Sequence, residues 1–275
     1  MVGRTIVVTG ASDGIGAAAA RSFRTAGEHV VVVGRSPAKT QAVAEEIGAD
    51  FLLADFAELA QVRRLADELR ERYDRIDVLA NNAGGIFGAR TTTQDGHEQT
   101  FQVNYLAPYF LTTLLLDRLI ASEATVINTS SAASRLFSKL DITDLDAERS
   151  YRATKAYGNA KLAQVLFTRE LQRRHGADGI SAAAFHPGVI ATNFSNSPDG
   201  AMRLMYGTAL GRRLMTTPVE GADTLFWLAE TQPGIDWTPG EYYAKRAVAR
   251  SGRQASDQAL ARELWDRSAE MLSGH

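Results

Sequence analysis

The run TIVVT at 5–9 passes into the glycine-rich turn TGASDGIG at 9–16, an alanine-rich amphipathic stretch follows, and a second β-branched run, HVVVV, begins at 29. Strands joined through a helix of this length lie parallel, because antiparallel neighbours are joined by tight turns and parallel ones by a crossover. The alternation repeats: helix over 37–47, strand 51–55, helix 58–73, strand 77–81, a long helix over 97–120, strand 125–130, helix 154–175 and strand 180–185. It lapses in a Met- and Gly-rich insert at 195–216, then resumes with a helix over 218–231, a short strand at 241–243 and a closing amphipathic helix over 255–272. This predicts an α/β fold with a doubly wound parallel β-sheet of about seven strands, helices on both faces, and one domain over all 275 residues.

A strand ending at Thr9 and a helix starting near Gly14 place backbone N–H groups where they can meet a phosphate. Gly10 permits the tight turn, Gly14 lets a phosphate approach with no Cβ in the way, and Gly16 allows helix to pack closely on strand. Ser12, Asp13 and Ile15 belong to the same candidate cofactor loop. A glycine-rich turn by itself also occurs without a ligand, and the spacing here is G-x-x-x-G-x-G rather than G-x-G-x-x-G.

Other partner classes find no support. A net charge of −2 with interspersed signs offers no broad basic surface for nucleic acid or anionic lipid. No apolar run approaches the ~20 residues of a membrane span, and the first strand begins too early to leave room for a signal peptide or membrane anchor. The five His are scattered, so no metal site is expected, and zero Cys excludes disulfide and thiolate chemistry. The chain reads as cytoplasmic, with small-molecule partners.

Three more signals come after the glycine turn in order: NNAG at 81–84, TSS at 129–131 and AYGNAK at 156–161. Each alone is weak; their order and spacing describe a nicotinamide-dependent oxidoreductase. Together they resemble the short-chain dehydrogenase/reductase family, with its Rossmann-type sheet, over nearly the whole chain. The stretches TQDGHEQTFQVNYLAPYFLTTLLLDRL at 93–119, AYGNAKLAQVLFTREL at 156–171 and ELWDRSAEML at 263–272 are similar to the retinol-dehydrogenase-like branch, without the hydrophobic anchor of its membrane-bound members.

At the end of the second strand an acidic residue would accept hydrogen bonds from the adenosine ribose. Gly34 and Arg35 stand there instead, and a guanidinium suits a phosphate in charge and fork geometry. The expected cofactor is therefore NADP(H) rather than NAD(H), held by Arg35 with Ser36 and Ser12. The resemblance sets Asp55 and Phe56 at the adenine, although Asp55 could equally cap a helix. It sets Asn81, Asn82, Ala83 and Gly84 along the adenosine side. HPGVIAT at 186–192 resembles the nicotinamide clamp, in which Pro187 and Gly188 turn the chain, Val189 follows, and Thr192 contacts the carboxamide. His186, just before it, reads as a structural hydrogen-bonding residue.

Carbonyl–alcohol chemistry needs an acid or base beside the oxygen, a donor to orient that oxygen, and a charge that brings the acid near neutrality. Tyr157, Ser131 and Lys161 resemble that set: a phenol of ordinary pKa ~10 needs a cation close by, and Lys161 lies one helical turn on. Asn104, in FQVNYLAP, matches the family's fourth member, which helps to hold a relay water; it also reads as a polar distortion just before Pro108. Tyr151 and Lys155 repeat the Y-x-x-x-K spacing, but the apolar helical pattern after Lys161 favours Tyr157 and Lys161, and leaves Tyr151 at the end of a loop near the substrate mouth. Of Ser130 and Ser131, the family pattern selects the second.

Ile86, Phe87, Leu136, Phe137 and the insert residues Met202, Leu204, Met205, Tyr206, Leu210, Leu214 and Met215 are candidate substrate walls. The insert reads either as a substrate lid, with Gly200, Gly207 and Gly211 as flexible points, or as a cap over the core. A lipophilic ketone, aldehyde or alcohol fits these walls. The alternatives are a catalytically silent NADP(H) sensor or scaffold, disfavoured by the intact Asn104, Ser131, Tyr157 and Lys161, and a sugar-nucleotide epimerase, disfavoured by the glycine spacing. Relatives pair through helices corresponding to 97–120 and 154–175, which would make a homodimer or homotetramer.

Overall fold

Strands β1 (Thr5–Thr9), β2 (His29–Gly34) and β3 (Asp50–Leu53) run parallel in the order β3-β2-β1, and β4 (Val78–Asn81), β5 (Thr125–Thr129), β6 (Ser181–Phe185) and β7 (Tyr242–Ala244) extend the sheet from the other side of β1. This computed structural model describes residues 3–188 and 216–275. An eighth strand, β8 (Ala247–Val248), turns back antiparallel beside β7 and adds an edge to the strands expected. Two residues carry no readable alternation, so it had no sequence signal.

The β-branched runs in β1 and β2 bury both of their faces. Val7, Val31 and Val33 pack on one side with Leu79, Val126 and Leu162, while Ile6, Val8, Val30 and Val32 pack on the other with Phe23, Ile127 and Leu225. A parallel sheet covered on both faces requires this. Helices α1 (Gly14–Thr25), α2 (Pro37–Ile47) and α9 (Pro218–Glu230) supply one layer. The other is made by α3 (Leu59–Arg72), α5 (Ala107–Leu114) and α8 (Ala153–His175), with α10 (Gln258–Met271) packed outside α8.

The single helix expected over 97–120 is instead built in pieces: α4 (Gln99–Phe101), a π-helical turn at Gln102–Leu106, α5, and α6 (Leu116–Ala121). The Glu98 carboxylate caps the start, accepting from the Thr100 and Phe101 N–H groups at 2.8 Å each. Pro108 then brings no N–H to the ladder, and the wide turn sits just before it. The closing helix begins at Gln258, later than expected: a 3₁₀ turn at Arg253–Ser256 comes first, and Asp257 then caps the helix, its side chain accepting from Leu260 N–H at 3.0 Å. A short α7 (Ala133–Leu136) follows β5. Of the expected insert 195–216, all but Thr216 lies outside the described residues. Among the described residues no helix is long and apolar enough to cross a membrane.

Candidate active site

The winding of the sheet reverses between β1 and β4, and a crevice opens there at the carboxyl ends of the strands. Every expected site residue among the described ones follows a strand end or sits on the helices beside it. Gly10 takes φ +65°, and a Cβ on it would stand 2.7 Å from the Ala83 Cα, so the turn after β1 and the segment after β4 can touch only through glycine. Asn82 ties the same two ends together, its Nδ2 donating to the Thr9 carbonyl at 3.0 Å while Thr9 Oγ1 accepts from the Asn82 and Ala83 N–H groups.

At the start of α1 the Asp13 carboxylate accepts from Gly14 N–H at 2.8 Å and from Lys39 Nζ at 3.1 Å. The Lys39 hydrogen bond holds Asp13 below the usual carboxylate range. The pairing offsets a negative charge that would otherwise face any phosphate at this terminus, and the helix itself offers no partner to the Ile15 and Gly16 N–H groups. Ser12 packs on Gly34, whose added Cβ would stand 2.9 Å from the Ser12 Cβ. Arg35 and Ser36 follow at once, Arg35 exposed and without a hydrogen bond or ion pair to any described residue. This glycine cradle, a terminus with spare donors and an uncommitted guanidinium fit an anionic dinucleotide.

Two of the expected cofactor residues turn their side chains into the core. The Asn81 side chain points into the core, 1% exposed, donating to Thr112 Oγ1 and Asn128 Oδ1 at 2.9 Å each. The Phe56 ring is buried at 4% exposure and its carbonyl accepts from Gln102 Nε2 at 3.2 Å. In both cases a short strand end offers one face to the core, and the sequence does not say which residue takes it. Asp55 accepts from Ala57 N–H at 2.9 Å in a local turn and is not the cap of α3, which starts after Glu58. Pro187 and Gly188 lie beyond β6 as expected; Val189 and Thr192 lie outside the described residues, as do the insert wall residues 202–215 and Gly200, Gly207 and Gly211.

Helix α8 presents Tyr157 and Lys161 one turn apart, with the Lys161 Nζ 5.6 Å from the centre of the Tyr157 ring. Lys161 is buried, donates to the Thr129 carbonyl at 3.0 Å, and burial pushes its ammonium down to about 7. Ser130 spends its hydroxyl on the Lys161 carbonyl, whereas Ser131 stays partly exposed, its Oγ accepting from Ala133 N–H at 3.2 Å. From below, the buried Tyr242 hydroxyl donates to the Ser131 carbonyl at 3.1 Å. Asn104 sits in the π turn with its side chain locked to Gly85: Nδ2 donates to Gly85 O at 2.8 Å and Oδ1 accepts from Gly85 N–H at 3.0 Å. Gly84, exposed to the crevice, is the point where these groups meet, since a Cβ there would stand 2.5 Å from Asn104 Oδ1 and 3.0 Å from Lys161 Nζ.

Tyr151 precedes α8, and its hydroxyl donates to the Phe87 carbonyl at 3.3 Å, so it does not share a helical face with Lys155. His186 accepts from Gly188 N–H through Nδ1 at 3.2 Å, its ring 5.6 Å from that of Tyr242, and burial lowers its pKa. Leu136 and Phe137, just past Ser131, are 59% and 46% exposed, and Ile86 and Phe87 are partly buried beyond Gly84.

A family model described as short chain dehydrogenase matches residues 4–201. The chain belongs to that family. It is 39% identical over 274 residues to a Streptomyces sp. (strain C5) protein named "Putative daunorubicin C-13 ketoreductase DnrU", covering 97% of this chain and 92% of that one. It is 33% identical over 297 residues to mouse (Mus musculus) retinol dehydrogenase 14, covering 99% and 86%. Among solved structures it is similar to the Pseudomonas aeruginosa RhlG/NADP active-site complex, with TM-score 0.69 and 26% identity over 88% of this chain and 94% of that one.

Four further residues shape the site of this short-chain dehydrogenase, and none of them was expected from its motifs. Lys39, one turn into α2 from Arg35, pairs with Asp13. Gly158 lets α7 approach, since a Cβ there would stand 3.0 Å from Ala133 O, Phe137 C and Ser138 N. Gln164, a polar residue among apolar neighbours on α8, was a readable signal. Tyr242, 111 positions from Ser131 in sequence, was not.

Proposed function

We propose that this chain is an NADP(H)-dependent oxidoreductase that interconverts a lipophilic ketone or aldehyde with its alcohol. The observation that carries the reading is the buried Lys161 ammonium one turn from Tyr157, with the Ser131 carbonyl held by the Tyr242 hydroxyl so that the Ser131 hydroxyl stays partly exposed. NADPH, when bound, supplies a hydride to the carbonyl carbon. Ser131 Oγ donates a hydrogen bond that orients the substrate oxygen, and Tyr157 gives that oxygen its proton. Lys161 favours the phenolate left behind, because an ammonium within a few ångströms stabilises the charged form. Asn104 fixes the segment at Gly85 against which the nucleotide would lie.

The uncommitted Arg35, with Ser12, Ser36 and Lys39 around it, supports a 2′-phosphate and therefore NADP(H). A relative bound to NADP in the solved complex is consistent with that choice. Leu136 and Phe137, exposed beside Ser131, support an apolar substrate, as do the names of the ketoreductase and retinol dehydrogenase relatives. The test titrates the protein with NADPH and NADH by fluorescence, then follows NADPH oxidation over lipophilic ketones and aldehydes. Tight NADPH binding and turnover that vanishes in Tyr157→Phe are expected. In Arg35→Asp the preference should pass to NADH, and an unchanged preference would remove Arg35 from the cofactor argument.

A further inference from the structure

The sheet brings Ser131 and a lysine to the same level. Thr129, Phe185 and Tyr243 form one row across the parallel strands β5, β6 and β7, and two residues beyond that row stand Ser131, Pro187 and Lys245. Neighbouring strands run ~4.8 Å apart, so the chain at Lys245 leaves the sheet roughly 10 Å from the chain at Ser131, on the edge where such folds bind their ligands. Lys245 and Arg246 make the whole turn between β7 and β8, at φ +50° and +60°, which glycine or asparagine adopts at less cost. Arg246 is committed there, its guanidinium paired with Asp223 on α9 and its N–H donating to Thr224 Oγ1 at 3.3 Å. The Lys245 side chain is exposed, with no hydrogen bond or ion pair to any described residue.

Arg135 follows Ser131 by four residues and is exposed and unpaired in the same way. Its segment packs on the one that follows β8. A Cβ on Gly252 would stand 3.5 Å from the Arg135 Cα, and the Gln254 side chain accepts from Leu140 N–H at 3.0 Å and donates to the Leu140 carbonyl at 2.9 Å. Residues 131–140 and 242–256, joined in this way, carry Arg135, Lys139, Lys245, Arg246, Arg250 and Arg253 and no Asp or Glu. The carboxylates at their borders are spent: Glu241 on Arg169, Asp141 on Arg149 and Asp223 on Arg246. A net charge of −2 over the whole chain hides this local excess. His186 lies between the two cations, its pKa lowered chiefly by burial and further by the Arg135 and Lys245 charges, so both reach the same ring. The exposed Leu136 and Phe137 come directly after Arg135, which puts apolar surface next to unneutralised charge.

We propose that Arg135 and Lys245 form an acid-recognising rim on the substrate crevice, which selects an amphipathic carbonyl compound: an aldehyde or ketone on an apolar chain that ends in a carboxylate roughly 10 Å from the reacting carbon. This deepens the reductase reading and rests on it. The carbonyl sits at Ser131 and Tyr157, the chain lies over Leu136 and Phe137, and the carboxylate takes the Arg135 fork and the Lys245 ammonium.

The test compares azelaic semialdehyde, whose chain ends in a carboxylate, with its methyl ester, of the same length and uncharged, by NADPH oxidation. Wild-type kcat/KM should favour the acid by roughly fivefold or more, the worth of two partly exposed ion pairs, and the ratio should shrink with added salt. In Arg135→Gln with Lys245→Gln it should fall toward one, and in Lys245→Glu below the wild-type value. The loss should appear in KM, because cations remote from the reacting atoms bind ground state and transition state alike. NADPH affinity by fluorescence should stay at the wild-type value in the double variant. A wild-type ratio of one, a ratio unchanged in the double variant, or reduction of neutral ketones with none of the semialdehyde each overturns the proposal. A double variant that loses NADPH affinity and keeps the ratio assigns the two cations to the cofactor and overturns it too. Wild-type protein as inactive as Tyr157→Phe on every carbonyl overturns the reductase reading itself, whereas an active enzyme indifferent to the carboxylate loses only the rim.

Discussion

Lys161 enters the fold as an ammonium with no carboxylate beside it: among the described residues its Nζ meets the Thr129 carbonyl and the face of Tyr157. Burial lowers its pKa from 10.5 to about 7. The unfolded chain therefore binds more protons between those values, so the burial penalty is complete below about pH 7 and fades as the pH rises toward 10.5. Lys161→Met should accordingly stabilise the cofactor-free protein by a few kcal/mol near pH 6 and by less near pH 9, read by urea denaturation at the two pH values. Equal stability at both would mean that the ammonium is solvated. At this scale the sequence was legible where chemistry imposes a spacing. Tyr157 and Lys161 had to be a turn apart, and Ser131 could be told from Ser130 by the family pattern. It was silent where only direction matters, as for Asn81 and Phe56, whose side chains turn to the core.

The segment from Glu98 to Ala121 shows what one proline does to an element. Its apolar pattern is continuous and reads as one helix, but pattern reports which face is buried and not whether every N–H is present. Pro108 withholds one, the turn before it widens, and the Asn104 carbonyl is released toward Gln164. Pro108→Ala would return a donor to that carbonyl. The variant is expected to keep or raise its Tm while losing roughly tenfold or more in kcat, since the wide turn serves the site and not the fold. A lowered Tm with unchanged kcat would reverse that assignment. The same limit explains β8, too short to alternate, and the late start of α10, where a 3₁₀ turn and the Asp257 cap replace the first residues of the expected helix.

Across the whole molecule, α10 covers the outer side of α8 and α5. Trp265 packs its ring 5.1 Å from that of Tyr109 and 5.7 Å from that of Phe167, Arg174 lies 4.8 Å above it, and the Tyr105 and Ser268 hydroxyls meet at 2.8 Å. Part of the two helices through which a homodimer or homotetramer was expected is thus covered by the chain's own α10. Size-exclusion chromatography with light scattering should find a monomer at micromolar concentration, and a chain ending at Ser256 should associate or aggregate by uncovering Tyr105, Tyr109 and Phe167. A dimer of the intact chain would place the interface elsewhere. The likeness of 263–272 to one branch was legible, but what that helix covers depends on a contact between residues some 160 positions apart, such as Tyr105 with Ser268.

Gly188 and Thr216 touch, a Cβ on the first standing 2.6 Å from the hydroxyl of the second, although 27 residues separate them. The frame thus offers two adjacent attachment points, one just beyond β6 and one just before α9. Joining them through a longer or shorter stretch changes closure entropy by only ~0.6 kcal/mol per doubling of length. The stretch between Gly188 and Thr216 can therefore vary in length at little entropic cost to the frame that carries Ser131, Tyr157 and Lys161.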